Sequence, residues 1–297
     1  MQFFSKPHLL EYLRRVQKKE SVSNNEEFHS IETDISFVDR DVLSLSQNLF
    51  CSLTFPLCGT EKNGVLLFDK KLFSKKAALL NDAGLVWGFS ADFGKKRGDT
   101  FRSFRDRLDF AVTLYPNHIY FYEEKLPSPT AVYSSKDMDF SAGMAFACRT
   151  FYTEGRAVPW FMSVLKVLKI SASSFFADFD EWQQCNNCSF ITGFIPEKES
   201  HASIEKMQLN FLEQKFSEKH KNHLFKAASD LVKLHGAFSR AWGEGEETDL
   251  ILSYNPSELL SPYASDLASF AENATMEECR IKVFMGEEGA DFKEIPL

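Results

Sequence analysis

The chain has 297 residues, 44% hydrophobic and 26% charged, with a formal net charge of -8 and a sequence pI near 5.5. That size and apolar content suffice for a substantial core in one or two domains, while the acidity leaves no electrostatic footprint for nucleic acid or an anionic membrane. No apolar run approaches the roughly 20 residues that span a bilayer, the start Met1-Gln-Phe-Phe-Ser-Lys-Pro-His is not a secretory leader, and the six scattered cysteines make no disulfide framework. The expected setting is cytoplasmic with reduced thiols, and thirty phenylalanines against eight tyrosines imply large aromatic packing layers.

In chain order, Pro7 stands near a helix start and Leu9, Leu10, Leu13 and Val16 form its apolar stripe, which the polar run 21–27 ends. Phe28 to Thr33 reads as a strand. A short helix through Val42 to Leu45 follows, ending near Asn48. Leu49 to Leu57 is the next strand candidate, and after a charged loop Phe73 to Ala83 is a helix closed by Gly84. Val86 to Ala91 is an apolar and aromatic run suited to a buried parallel strand. Beyond the turn Gly94 to Asp99, Asp99 or Thr100 can cap a helix in which Phe101, Phe104, Leu108, Ala111 and Tyr115 recur at helical spacing. Pro116 stops it, and His118 to Tyr122 is β-branched and aromatic enough for a further strand. A crossover of this length joins parallel strands.

The residues of this unit resemble a known family. Gly94, Gly98, Asp99, Thr100, Ser103, Phe104, Arg105, Leu108, Asp109, Phe110, Pro116, Asn117, His118 and Ile119, followed by Leu126, Pro127 and Pro129, match the later barrel strands of the radical S-adenosylmethionine enzymes that carry a cobalamin-binding domain. The pattern there is Gly-Leu-Pro-Gly-Asp-Thr, then SFRxxLDFAxxLxPNHI, then a Leu-Pro turn. The resemblance implies that Phe28 to Thr33 is the third barrel strand and that this chain corresponds to the C-terminal half of such an enzyme. It also implies that adenine would sit at the carboxyl ends of two strands, with Phe89, Asp92, Gly94 and Tyr122 as the candidate cofactor contacts. Full-length members use S-adenosylmethionine, an iron-sulfur cluster and cobalamin.

Two departures bear on chemistry. The family's Glu-x-Gly-x-Gln-Ser run after the fourth strand is here Thr54-Phe55-Pro56-Leu57-Cys58-Gly59, so Thr54 stands in place of a carboxylate and Pro56 removes a ladder donor. The cluster loop, three thiolates spaced CxxxCxxC, is absent: Cys51 and Cys58 lie seven apart, and the other four cysteines fall beyond the barrel portion. Hence no cofactor is expected in the isolated chain. The expected function is a non-catalytic part of that fold, the alternatives being a binding module or one half of a split enzyme whose companion chain carries the cobalamin domain and cluster loop. The strand Phe28 to Thr33 would then present an unpaired edge, and self-association is expected.

Past the Ser/Pro turn at Leu126 to Thr130 the sequence is mainly helical. Phe140 to Tyr152, Trp160 to Leu168, Ser173 to Gln184 and a long stretch from Ile204 to Leu234 are amphipathic, and Asp249 to Ser253 and Arg280 to Phe284 read as strands. The segment ACRTFYTEGRAVPWF resembles the post-barrel helices of the same family. Cys185-Asn-Asn-Cys188 with His220 and His223 has ligand types but no zinc-module spacing, so free thiols are the simpler reading. Likewise His118 at a strand entrance is read as structural. Gly94-Lys95-Lys96-Arg97-Gly98 has the form of a phosphate cradle without the Lys-Ser/Thr pair, and reads as a solvated basic turn. The fold class is therefore α/β: a partial, open TIM-barrel-like parallel sheet with helices over residues 1–125, followed by a mainly α-helical domain over 126–297.

Overall fold

The computed structural model describes residues 1–23, 27–63, 65–121 and 128–296. It divides into two compact units, Met1–Ala145 and Phe146–Leu297, meeting inside a helix. The sequence-based boundary at 125/126 lies outside the described residues.

The first unit runs β1 (Gln2–Phe3), α1 (Lys6–Ser23), β2 (His29–Thr33), α2 (Arg40–Ser46), β3 (Cys51–Pro56), β4 (Thr60–Lys62), β5 (Val65–Leu67), α3 (Lys70–Asp82), β6 (Val86–Ala91), α4 (Phe101–Val112), β7 (His118–Phe121) and the start of α5 (Ser135–Cys148). Strands β1, β2, β3, β6 and β7 form one sheet in chain order, every neighbouring pair parallel. The fold is thus α/β with a five-stranded parallel sheet. Parallel crossovers of one hand place the intervening helices on the same face, and there the sheet is apolar: the rows Ile31, Leu53, Trp87 and Phe55, Phe89, Ile119 are all fully buried. Leu9, Leu13, Phe73, Leu80, Phe104 and Leu108 supply the buried helical stripes.

Several expectations need correction. Strand β2 is not the sheet edge, because Gln2 and Phe3 pair with Glu32 and Thr33. The loop expected after Cys58 holds the antiparallel hairpin β4–β5. Tyr115 does not continue the apolar stripe of α4: the residue before a proline is barred from the helical region, so α4 ends at Val112 and Tyr115 turns out with φ +58. Pro56 is tolerated in a central strand because of its position. Leu57 donates to the Ser90 carbonyl on one side, so Pro56 directs its nitrogen to the other, beyond the last β2–β3 pair, Glu32 with Thr54.

The second unit takes up α5 and continues as a π-helix (Arg149–Glu154), α6 (Phe161–Leu168), α7 (Ala172–Cys185), α8 (His201–Glu218), α9 (Asn222–Glu244), β8 (Thr248–Leu252), α10 (Pro256–Leu259), α11 (Leu267–Asn273), β9 (Cys279–Gly286) and β10 (Gly289–Glu294). The single helix expected over Ile204 to Leu234 is two. His220 takes φ +55, and the bonds from His220 N to Ser217 O and from Lys221 N to Phe216 O make a Schellman cap that ends α8. The expected strands pair antiparallel as β8 and β9, and β10 adds a third strand that the sequence reading missed. Phe151, on the π-helix, is the hub of the aromatic core, with its ring 4.7 Å from Phe175, 4.9 Å from Phe179 and 5.7 Å from Trp160. Gln208 anchors that irregular turn by donating to the carbonyls of Phe151 and Gly155.

Candidate functional site

The face of the parallel sheet opposite its apolar rows is polar. One row runs Gln2, Glu32, Thr54, Gly88, His118 across all five strands, and Pro56, Ser90 and Tyr120 form the next. Two links each skip a strand: Thr54 Oγ1 lies 2.9 Å from His118 Nε2 over β6, and Ser90 Oγ donates to Glu32 Oε1 at 3.1 Å over β3. The His118 ring lies against Tyr120, with centroids 4.5 Å apart and planes tilted by 30°. Burial lowers the His118 pKa to about 4, so at neutral pH the imidazole is uncharged, with one donor and one acceptor nitrogen. Fully buried parallel strands usually read as continuous apolar runs; a row of Glu, Thr, Ser and His can instead hydrogen-bond a polar ligand.

A cleft of about 440 Å³ opens at the carboxyl ends of β1, β2 and β3. Its lining includes Glu32 from the polar row, Asp34, Cys58, Asp69 and Lys96, with Phe3 as apolar wall. Asp34 and Asp69 also cap helical turns, accepting from Ser36 N at 2.8 Å and Leu72 N at 2.9 Å, and Lys96 Nζ donates to the Gly59 carbonyl at 3.2 Å. Three carboxylates against one ammonium favour a cationic or hydroxyl-rich molecule. Strand carboxyl ends are where open α/β sheets and barrels bind ligands.

The candidate contacts named from sequence are not brought together in this cleft. Phe89 is fully buried on the helix-covered face, 5.8 Å from Phe73 and 5.2 Å from Trp87, so its ring packs in the core instead of meeting a purine. Asp92 and Gly94 belong to an ion-pair knot. Arg107, buried on α4, donates to the Leu57 carbonyl at 2.9 Å, to Asp92 Oδ1 at 3.2 Å, to the Asp92 carbonyl at 3.0 Å and to Asp99 Oδ2 at 2.9 Å. Gly94, at φ +65, donates to Asp99 Oδ2 at 2.9 Å, and Asp99 Oδ1 accepts from Thr100 N at 3.1 Å and from Ser103 Oγ at 2.5 Å. Tyr122 lies outside the described residues.

Two further sequence candidates are resolved structurally. The basic turn has the form of an anion cradle, but the amides at its two ends, Gly94 and Thr100, already donate to Asp99, and Thr100 with Ser103 closes a capping box on α4. Cys185 is exposed at the end of α7 while Cys188 is buried, and among the described residues no three His, Cys, Asp or Glu side chains converge as a metal site requires. Burial pushes the Cys51 thiol up to about 11 and raises those of Cys148 and Cys188, so these three are neutral thiols at pH 7.

Glu32, Ser90, Tyr120 and Arg107 were missed in the sequence, although a signal existed for Ser90 and Tyr120. The polar residues alternate within β3, as Ser52 and Thr54, and within β7, as His118 and Tyr120, while β2 is polar at four of its five positions and β6 carries Ser90 two residues after Gly88. No helix among the described residues is long and apolar enough to cross a membrane. Comparison with models of known protein families and with curated proteins finds no match for this chain.

Proposed function

We propose that residues 1–145 carry the later strands of a barrel of the radical S-adenosylmethionine kind, and that the chain by itself binds a small polar molecule against its polar sheet face without catalysing a reaction. One observation carries the reading: a parallel sheet in strict chain order whose helix-side face is apolar and whose opposite face bears the row Glu32, Thr54, Gly88, His118. A barrel wall has this sidedness, with helices outside and ligand-facing side chains within. Thr54, in place of the family's carboxylate, is engaged with His118, and the sequence carries no CxxxCxxC spacing. Anchoring of S-adenosylmethionine would therefore be weak, with millimolar affinity or about 4 kcal/mol of binding free energy.

The test is calorimetric titration of the full chain with S-adenosylmethionine and with adenosine, alongside Glu32→Gln and Tyr120→Ala. Millimolar binding weakened by either variant supports the reading. Micromolar binding would make this an active cofactor domain, and no binding by either compound would end the proposal. A split enzyme completed by a companion chain is the second reading, favoured by β7, which among the described residues pairs on one side only. Co-purification of a chain bearing a CxxxCxxC loop would replace the first reading by the second.

A further inference from the structure

A second cleft lies wholly within the 146–297 unit, between α6, α9 and the turn Pro262–Ser265, with a volume of about 260 Å³. Its walls are Pro159, Leu231, Leu259 and Pro262, no charged side chain lines it, and its polar groups are three serines and His235. Ser261 Oγ is already committed, donating to the Glu258 carbonyl at 2.7 Å. The histidines elsewhere that are not exposed hold partners: His29 meets Tyr12 and Glu20, His118 meets Thr54, and His201 meets Gly155 and Arg240. His235 is partly buried and makes no hydrogen bond or ion pair with any described residue.

We propose that this cleft binds a small uncharged molecule with an apolar body and one hydroxyl group, His235 accepting the hydroxyl's hydrogen bond. Three considerations set the ligand class. The volume falls just below the roughly 300 Å³ at which drug-sized pockets begin, so the ligand is a single ring or a short branched chain. Leucine and proline walls reward burial of an apolar body. Burial lowers the His235 pKa to about 4, so the ring is neutral and keeps an acceptor nitrogen; an anion would be desolvated there with no cation to meet it.

The experiment uses the full chain and three probes of one shape: 4-methylphenol, toluene and 4-methylbenzoate. Saturable shifts of the His235 ring resonances with 4-methylphenol are expected, with affinity about five-fold above that for toluene, as one hydrogen bond supplies, and no binding of 4-methylbenzoate. In His235→Phe, 4-methylphenol and toluene should bind equally. Equal binding of those two probes to the wild-type chain would overturn the proposal. So would a preference that survives in His235→Phe, benzoate binding as tight as phenol binding, or the absence of a saturable His235 shift. If His235→Phe does not fold, the wild-type probe series decides alone.

Discussion

His118 reaches across an entire strand to Thr54, with 2.9 Å between Nε2 and Oγ1, because the residue between them in the register is Gly88. A Cβ at Gly88 would collide with both the His118 carbonyl oxygen and its imidazole. The glycine is therefore needed for space, not for backbone freedom. Gly88→Ala should lower stability by about 2 kcal/mol, as overpacking a filled interior does, read as a drop in the denaturant midpoint at unchanged slope. Adding His118→Ala should recover only part of the loss, since the carbonyl obstruction remains. Full recovery would show that the ring alone sets the constraint.

The same histidine makes stability depend on pH. His118, His201 and His235 all have folded pKa values lowered to about 4 against an ordinary 6.5. Below pH 6.5 the unfolded chain takes up protons that the folded chain refuses, so stability falls as pH drops towards 4, by an amount on the order of 3 kcal/mol for each histidine. Glu154, Glu205 and Asp230 act oppositely, because burial raises their pKa values and favours the folded state at low pH. The informative comparison is therefore a difference: His118→Gln, which can still bond Thr54, should show a shallower loss between pH 6.5 and 4 than the wild-type chain. Parallel curves would mean that His118 titrates normally.

Elements with their own local signals were legible in the sequence. Val86–Ala91 has the bounds expected of it, and Thr100 caps α4 as its position before a helical pattern suggested. What failed depended on tertiary structure. The two-residue β1 is too short for periodicity and exists only through pairing with β2. The break at His220 is invisible because the apolar period continues from Phe216 to Leu224, and a non-glycine residue supplies the left-handed cap. Phe89 was placed at a ligand site because its strand was identified correctly but its face was not: in a period of two, Gly88 and Ser90 face the polar side and Phe89 the helices. Alternation within β3 and β7 was in the sequence, but placing Glu32, Thr54, Ser90 and His118 on one face needs the register between strands, which only the structure supplies.

Arg107 ties three chain segments at the strand carboxyl ends, through the carbonyls of Leu57 and Asp92 and the carboxylates of Asp92 and Asp99. It is almost completely buried, and so is Asp99. Removing one partner strands the other's charge in the interior, which typically costs 3–5 kcal/mol. Arg107→Met should therefore unfold the first unit or lower its thermal midpoint severely. Arg107→Lys should lose less, since a charge remains without the planar fork. Near-wild-type stability of Arg107→Met would mean the knot is dispensable.

The turn before α4 contains its own anion. Gly94 and Thr100 donate to Asp99, and Arg107 completes the shell, so an added phosphate would have to displace a buried carboxylate already held by charge-assisted bonds. Inorganic phosphate at millimolar concentration should leave the amide resonances of Gly98 and Thr100 unmoved, despite Lys95, Lys96 and Arg97 beside them. Asp99→Ala reverses the situation: the donors lose their carboxylate, the Arg107 charge is uncompensated on that side, and the folded state becomes the one that binds an anion. Phosphate should then raise the variant's thermal midpoint in a concentration-dependent way, as any ligand selective for the folded state does, while leaving the wild-type midpoint unchanged. Equal stabilisation of both proteins would place the phosphate on the exposed lysines and show that Asp99 does not fill the cradle.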